Sequence, residues 1–131
     1  MADAHTWRTF WSFYLGEHRN PVNQTLHALG SLCGLGWLGL AVAWGNPWFV
    51  LAGLVNGYAC AWIGHFVFEK NRPATFRYPL KSFVSDWRLL ALFLSGRLSR
   101  AVAALDAPGA APLAEPVARE ESASATPAGS R

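Results

Sequence analysis

The sequence predicts an all-α fold: a small helical membrane bundle of about four helices around a central antiparallel transmembrane hairpin. Three observations carry this. Between Asn20 and Phe68 there is no Lys, Arg, Asp or Glu, so every formal charge of the 131-residue chain lies outside that stretch. The stretch is long enough for two crossings, since about 20 apolar residues span one hydrocarbon core. Gly45-Asn46-Pro47 divides it with an uncharged turn, and Gly30/Gly34 and Gly53/Gly57 are small-xxx-small pairs that let two helices approach closely. A soluble bundle with so uniformly apolar a surface would need a partner to cover it.

Each element follows in order. Met1 to Asp3 lacks the basic-then-apolar order of a cleavable signal peptide, so insertion would use retained segments. From His5 to His18, Trp7, Phe10, Trp11, Tyr14 and His18 recur at steps of three and four, which predicts an aromatic-faced helix for a membrane interface or the flank of a bundle. Pro21 forbids its continuation, Asn20 has the chemistry of an N-cap, and Pro21 suits the first position of the next helix. That second helix runs from about Val22 to Trp44, with Asn23, His27, Gly30, Gly34 and Trp37 on one stripe. Asn23-Gln24-Thr25 spells a glycosylation sequon, but a three-residue match at a helix start is discounted.

The third helix runs from about Pro47 to Lys70 and ends at the basic, proline-stopped exit Lys70-Asn71-Arg72-Pro73. His65 and Glu69 should share a face one turn apart, with Trp62 and Tyr58 continuing the stripe. Ala74 to Lys81 reads as a loop, and a fourth helix from about Ser82 to Leu105 carries Phe83, Trp87, Leu90 and Leu94 on one stripe. Asp86 near its start, and Arg97 and Arg100 near its end, complement the helix dipole. This helix either crosses the membrane or lies along its interface. Beyond it the composition shifts to Ala, Pro, Ser, Gly and Glu without periodicity, so residues 1–105 form the helical domain and 106–131 a disordered tail.

The net charge of +3 comes mainly from Lys70, Arg72, Arg77, Lys81, Arg88, Arg97 and Arg100, all just after the apolar block. This cluster reads as a cytoplasmic flank, placing the uncharged turn outside and both termini in the cytoplasm. The nearby aromatics are not interleaved as a stacking platform, which argues against nucleic acid as a partner. Cys33 and Cys60 fall inside the apolar helices, where they act as small hydrophobes rather than as a disulfide frame.

An antiparallel hairpin sets the start of the second helix level with the end of the third. His27 and His65 then meet near the cytoplasmic surface, beside Asn23 and Glu69, and the turn at Pro21 returns His18 to the same level. Imidazole is the usual ligand of catalytic iron or zinc, and three such ligands leave coordination positions open. Glu69 then has three possible roles: fourth ligand, orienting partner of an imidazole, or base. Asn23, one turn before His27, has similar choices. Two readings compete with a catalytic site of this kind. Histidines in an apolar segment also serve as hydrogen-bonded braces in a non-enzymatic membrane protein, and three imidazoles also suit a zinc-dependent hydrolase of lipid esters or amides.

Two blocks of sequence resemble a known family. Phe10-Trp11-Ser12-Phe13-Tyr14-Leu15-Gly16-Glu17-His18-Arg19-Asn20-Pro21-Val22-Asn23, followed by His27 and Gly30, is similar to the opening of the yeast 2-hydroxy fatty acid dioxygenase family. Ala61-Trp62-Ile63-Gly64-His65-Phe66-Val67-Phe68-Glu69-Lys70-Asn71-Arg72-Pro73-Ala74-Thr75-Phe76 is similar to its second signature, and the resemblance covers residues 7 to 96. It implies a small helical membrane protein with an iron(II)-dependent dioxygenase activity of fatty acid α-oxidation, which shortens a 2-hydroxy fatty acid by one carbon using molecular oxygen. The family's histidines fall on His18, His27 and His65, and its adjoining acid on Glu69; His5 has no counterpart. Arg19-Asn20-Pro21 and the Asn71 to Phe76 ending look like a bacterial branch, implying an inner-membrane location. The interface is also where the carboxylate of such a substrate would sit, within reach of Lys70 or Arg72. Iron and zinc fit the donor set alike.

Overall fold

The computed structural model describes residues 6–110. It is all-helical: α1 spans Trp7–Gly16, α2 Pro21–Trp44, α3 Trp48–Ile63, α4 Pro79–Leu94 and α5 Leu98–Ala103. A π-helix, Gly64–Glu69, prolongs α3, and single 3-10 turns occupy Ala74–Phe76 and Ala104–Asp106.

Helices α2 and α3 form the expected antiparallel hairpin and make the most extensive contact in the molecule. Its turn is built from the residues that the sequence marks for one. Gly45 ends α2 at φ 61°, where a side chain would be strained, and its N–H reaches back to Ala41 and Val42. The Asn46 side chain accepts from the Trp48 N–H at 3.0 Å and so starts α3. Along the seam the glycine pairs meet. A Cβ on Gly30 would stand 3.0 Å from Cys60 Cβ and 3.4 Å from Gly57 Cα, and one on Gly53 would stand 3.0 Å from Trp37 Cβ. Close backbone approach needs glycine at both places.

Two helices, Pro21–Trp44 and Trp48–Glu69, are long and apolar enough to cross a membrane, and only 22% and 17% of their most apolar windows are buried. A core helix of a soluble protein would be mostly covered, so this hairpin leaves its apolar surface for another medium. The cover it does have comes from α4, which packs on α2; α1 and α5 pack in turn on α4, and Phe10, Tyr14, Leu15, Leu89 and Leu98 of these three helices are buried together.

The boundaries differ from the sequence reading in four places. Helix one starts at Trp7 behind Thr6, whose hydroxyl accepts from the Thr9 N–H at 3.3 Å; His5 lies outside the described residues. The third helix is not α to its end but opens into the π-helix at Gly64. The fourth starts earlier, with Pro79 at its first turn, and breaks at Ser95-Gly96-Arg97, where Gly96 takes φ 69°. At 16 residues α4 is too short to cross a hydrocarbon core that needs about 20. Its buried face is Ser82, Ser85, Leu89 and Leu90, whereas Phe83, Trp87 and Leu94 of the expected stripe face outward. Of the expected tail, 106–131, the residues beyond 110 lie outside the described residues; its first residue, Asp106, is held by both Arg19 guanidinium nitrogens at 2.9 and 3.1 Å.

Candidate metal centre

Three elements deliver three imidazoles to one point. Helix α1 ends at Gly16 and its last carbonyls are taken by Glu17 N–H, so His18 follows directly in the connecting turn. Asn20 caps α2, its side chain accepting from the Val22 N–H at 2.9 Å, and Pro21 occupies the first turn. His27 then faces inward almost two turns into α2. The Gln24 side chain, inside the same turn, donates to the His18 carbonyl at 2.7 Å and pins the loop to the helix.

His65 arrives from the π-helix, a form that often marks functional positions. Gly64 is needed beside it, since any Cβ there would be driven into the Asn23 side chain. The π-helix ends at Lys70, the one described non-glycine residue with positive φ (57°), and Asn71 turns back so that its N–H meets the His65 carbonyl at 3.1 Å.

The result is a buried cluster in which His18, His27 and His65 are 0%, 6% and 1% exposed. Ring centroids lie 4.4 Å apart for His18 and His27, 4.6 Å for His18 and His65, and 5.0 Å for His27 and His65. One ligand nitrogen from each falls within 4.8 Å of the other two.

Hydrogen bonds decide which nitrogen is offered. His18 Nδ1 is 2.6 Å from the Tyr14 carbonyl, His65 Nδ1 is 2.7 Å from Asn71 Oδ1, and His27 Nδ1 is 3.1 Å from Asp86 Oδ1. All three partners are oxygen acceptors, so each Nδ1 carries a proton and donates, and in a neutral ring Nε2 is then the nitrogen left to bind a metal. The orientation of Asn71 is itself determined, because its Nδ2 donates to the Glu17 carbonyl at 3.1 Å and to Glu17 Oε2 at 2.7 Å. Asp86 also accepts from the Tyr14 hydroxyl. Tyr14 keeps its proton, since burial and the Asp86 charge push its pKa well above 10.0. His18 is kept neutral: burial, then the neighbouring His27 and His65, hold its pKa well below 6.5.

His18 Nε2 and His27 Nε2 face one another at 3.2 Å. Three buried imidazoles, each offering a ring nitrogen within 4.8 Å of the others, are a donor set that would fit a transition metal. The imidazole-to-carboxylate and imidazole-to-carbonyl bonds behind it are the outer contacts that such ligands ordinarily have.

The other expected site residues fall as follows. Asn23 is fully buried one turn before His27, with neither Nδ2 nor Oδ1 hydrogen-bonded. Glu69 lies outside the histidine group. Its carboxylate accepts from the Asn20 N–H at the start of α2, where the helix dipole favours an anion. The nearness of Glu69, after burial, raises the Glu17 pKa. Lys70 and Arg72 are exposed on the chain segment leaving the π-helix. Asp86, Asn71 and Tyr14 escaped the sequence reading as site residues. Tyr14 stands four residues before His18, a helical spacing open to inspection, but Asp86 and Asn71 carry no local sign.

Comparison with known proteins now bears on this geometry. The profile of the family described as 2-hydroxy-palmitic acid dioxygenase Mpo1-like matches residues 4–98. The chain belongs to the Mpo1-like family. No curated protein and no solved structure matches it. The family match takes in all three histidines, Asp86 and Asn71, so the whole metal centre lies inside the Mpo1-like region. The family match and the three-histidine cluster therefore fall on the same residues.

Proposed function

We propose that this protein is an iron(II)-dependent dioxygenase of 2-hydroxy fatty acids, seated in a membrane. The observation that carries the reading is the trio of buried imidazoles whose ligand nitrogens converge within 4.8 Å in an Mpo1-like chain. His18, His27 and His65 hold the metal, whose bound form supplies the activation of oxygen. Asp86, Asn71 and the Tyr14 carbonyl keep each Nδ1 protonated and the rings in place.

The remaining roles follow from placement and chemistry. Asn23 offers a buried amide without partners, able to donate to the substrate or accept from it. Lys70 and Arg72 attract the carboxylate of an approaching fatty acid, and Glu69 supports the entrance by holding the start of α2 against the π-helix. The reaction balances without an external reductant. The C1–C2 bond breaks, C1 leaves as carbon dioxide, C2 gains one oxygen atom to become the new carboxyl carbon, and one molecule of oxygen takes the four electrons released, so that R–CH(OH)–COOH and O2 give R–COOH, CO2 and one H2O.

The charge pattern favours the histidine end and both termini on the cytoplasmic side, and the resemblance to a bacterial branch implies an inner membrane. The deciding experiment incubates detergent-solubilised protein with iron(II), oxygen and 2-hydroxypalmitic acid. A product one carbon shorter is expected. Turnover restored by zinc without oxygen would replace the dioxygenase with a hydrolase.

A further inference from the structure

A groove of about 220 Å³ opens beside His27 and Asp86 and runs down the hairpin between α2, α3 and α4. Its polar end is formed by His27, one of the three clustered histidines, and Asp86; its far end is Leu38 on α2 and Val50 on α3. Leu38 lies eleven residues beyond His27, and Val50 eleven before Ala61, which lines the near end. At 1.5 Å per helical residue both walls measure about 16 Å, half of a ~30 Å hydrocarbon core and so the length of one acyl chain in one leaflet.

The glycines of the seam divide their work along this groove. Gly30 and Gly53 face the opposite helix closely, as their 3.0 Å Cβ contacts require. Gly34 also lines the groove, yet a Cβ there would meet nothing within 4 Å. Glycine at that position is therefore not demanded by helix contact. It leaves the groove open, about 10 Å from the level of His27.

We infer that this groove holds a single unbranched acyl chain with its acid end at the metal centre, and that Gly34 sets how long a chain it accepts. The inference rests on the dioxygenase reading for the acid head group, but the groove and its length stand on the geometry. Continuity with the histidine cluster names the occupant: a molecule with one polar, metal-seeking end and one apolar chain, rather than a two-chain lipid.

The test uses the full chain in detergent with cis-parinaric acid as the fluorescent probe. Displacement is measured with 2-hydroxyoctanoic acid, 2-hydroxypalmitic acid and phosphatidylglycerol, for wild type and Gly34→Leu. A leucine fills the groove and raises helix propensity, so folding is favoured. Wild type should bind the long acid better than the short one, and Gly34→Leu should cut that preference by about tenfold or more with the same iron content. Equal loss for both acids, no change, or displacement by phosphatidylglycerol as strong as by the acids would overturn the inference. If Gly34→Leu does not purify, Leu38→Trp decides in its place, since it should weaken the long acid alone. A shifted binding preference without product from either acid leaves the groove standing and removes the dioxygenase; product formation whose chain-length preference ignores both variants does the reverse.

Discussion

The two ends of the hairpin are built from the same apolar helices and by opposite means. At the histidine end, His18, Asn23 and His65 are at most 1% exposed, and hydrogen bonds join α1, α2, the π-helix and α4. At the turn end, Val42, Trp44 and Trp48 are 78%, 69% and 72% exposed, and nothing else in the described chain covers them. One end is specified by polar bonds made inside the protein; the other leaves apolar side chains exposed on helices long and apolar enough to cross a membrane. Buried polar groups must find partners, whereas apolar side chains in lipid need none, so rigidity collects where the polar residues are.

The strongest test of that contrast removes the histidines. Alanine at His18, His27 or His65 should strip most of the bound metal and nearly all activity. The three losses should not add, because residues acting as a unit fail together. Metal analysis of the single and double variants checks this, and iron retained by all three single variants would show that they brace the hairpin instead. Next in size is Asp86→Asn, which takes the charge from behind His27 and should lower metal affinity by about 10- to 100-fold. Tyr14→Phe, which removes only the hydroxyl that Asp86 accepts from, should cost less; competition with a metal-binding dye would rank the two.

Acid should act on the histidine end alone. The folded-state pKa of His18 lies below its unfolded value, so the unfolded chain takes up the proton first. Its contribution to stability is complete above about pH 6.5 and is lost as pH falls toward the folded value. Metal-free protein should thus keep its melting temperature near neutrality and lose it progressively below pH 6.5, with a shallower fall in His18→Gln. A melting temperature that rose on acidification would contradict a neutral, buried His18. The smallest effect is expected at the turn end, where Trp44→Ala should change stability by no more than about 0.5 kcal/mol and leave metal content alone. A large loss of bound metal in that variant would mean that the two ends are coupled.

Much of the site was legible because its logic is one of topology. An uncharged turn between two long apolar stretches implies an antiparallel hairpin, and that pairing alone sets His27 opposite His65, while Pro21 brings back His18. The partners of those histidines were not legible. Glu69, four residues from His65, was the expected neighbour, but the π-helix ends against the start of α2, where a bare N–H and the helix dipole claim the carboxylate. Asn71 took the place beside His65 because Lys70 turns the chain back through a left-handed conformation, which no periodicity announces.

By itself, then, the sequence determined the helical class, the hairpin and which imidazoles share a level, since charge distribution, proline and glycine act through local preference and through the cost of placing charge in lipid. Only the tertiary structure decided that Asp86 of α4 stands behind His27, that Asn71 orients His65, and that Gly34 faces open space while Gly30 faces a helix. Those outcomes depend on how α4 docks and how the π-helix shifts its side chains. Both are set by contacts between residues far apart in the chain, and such contacts leave no mark on the residues' own neighbours in sequence.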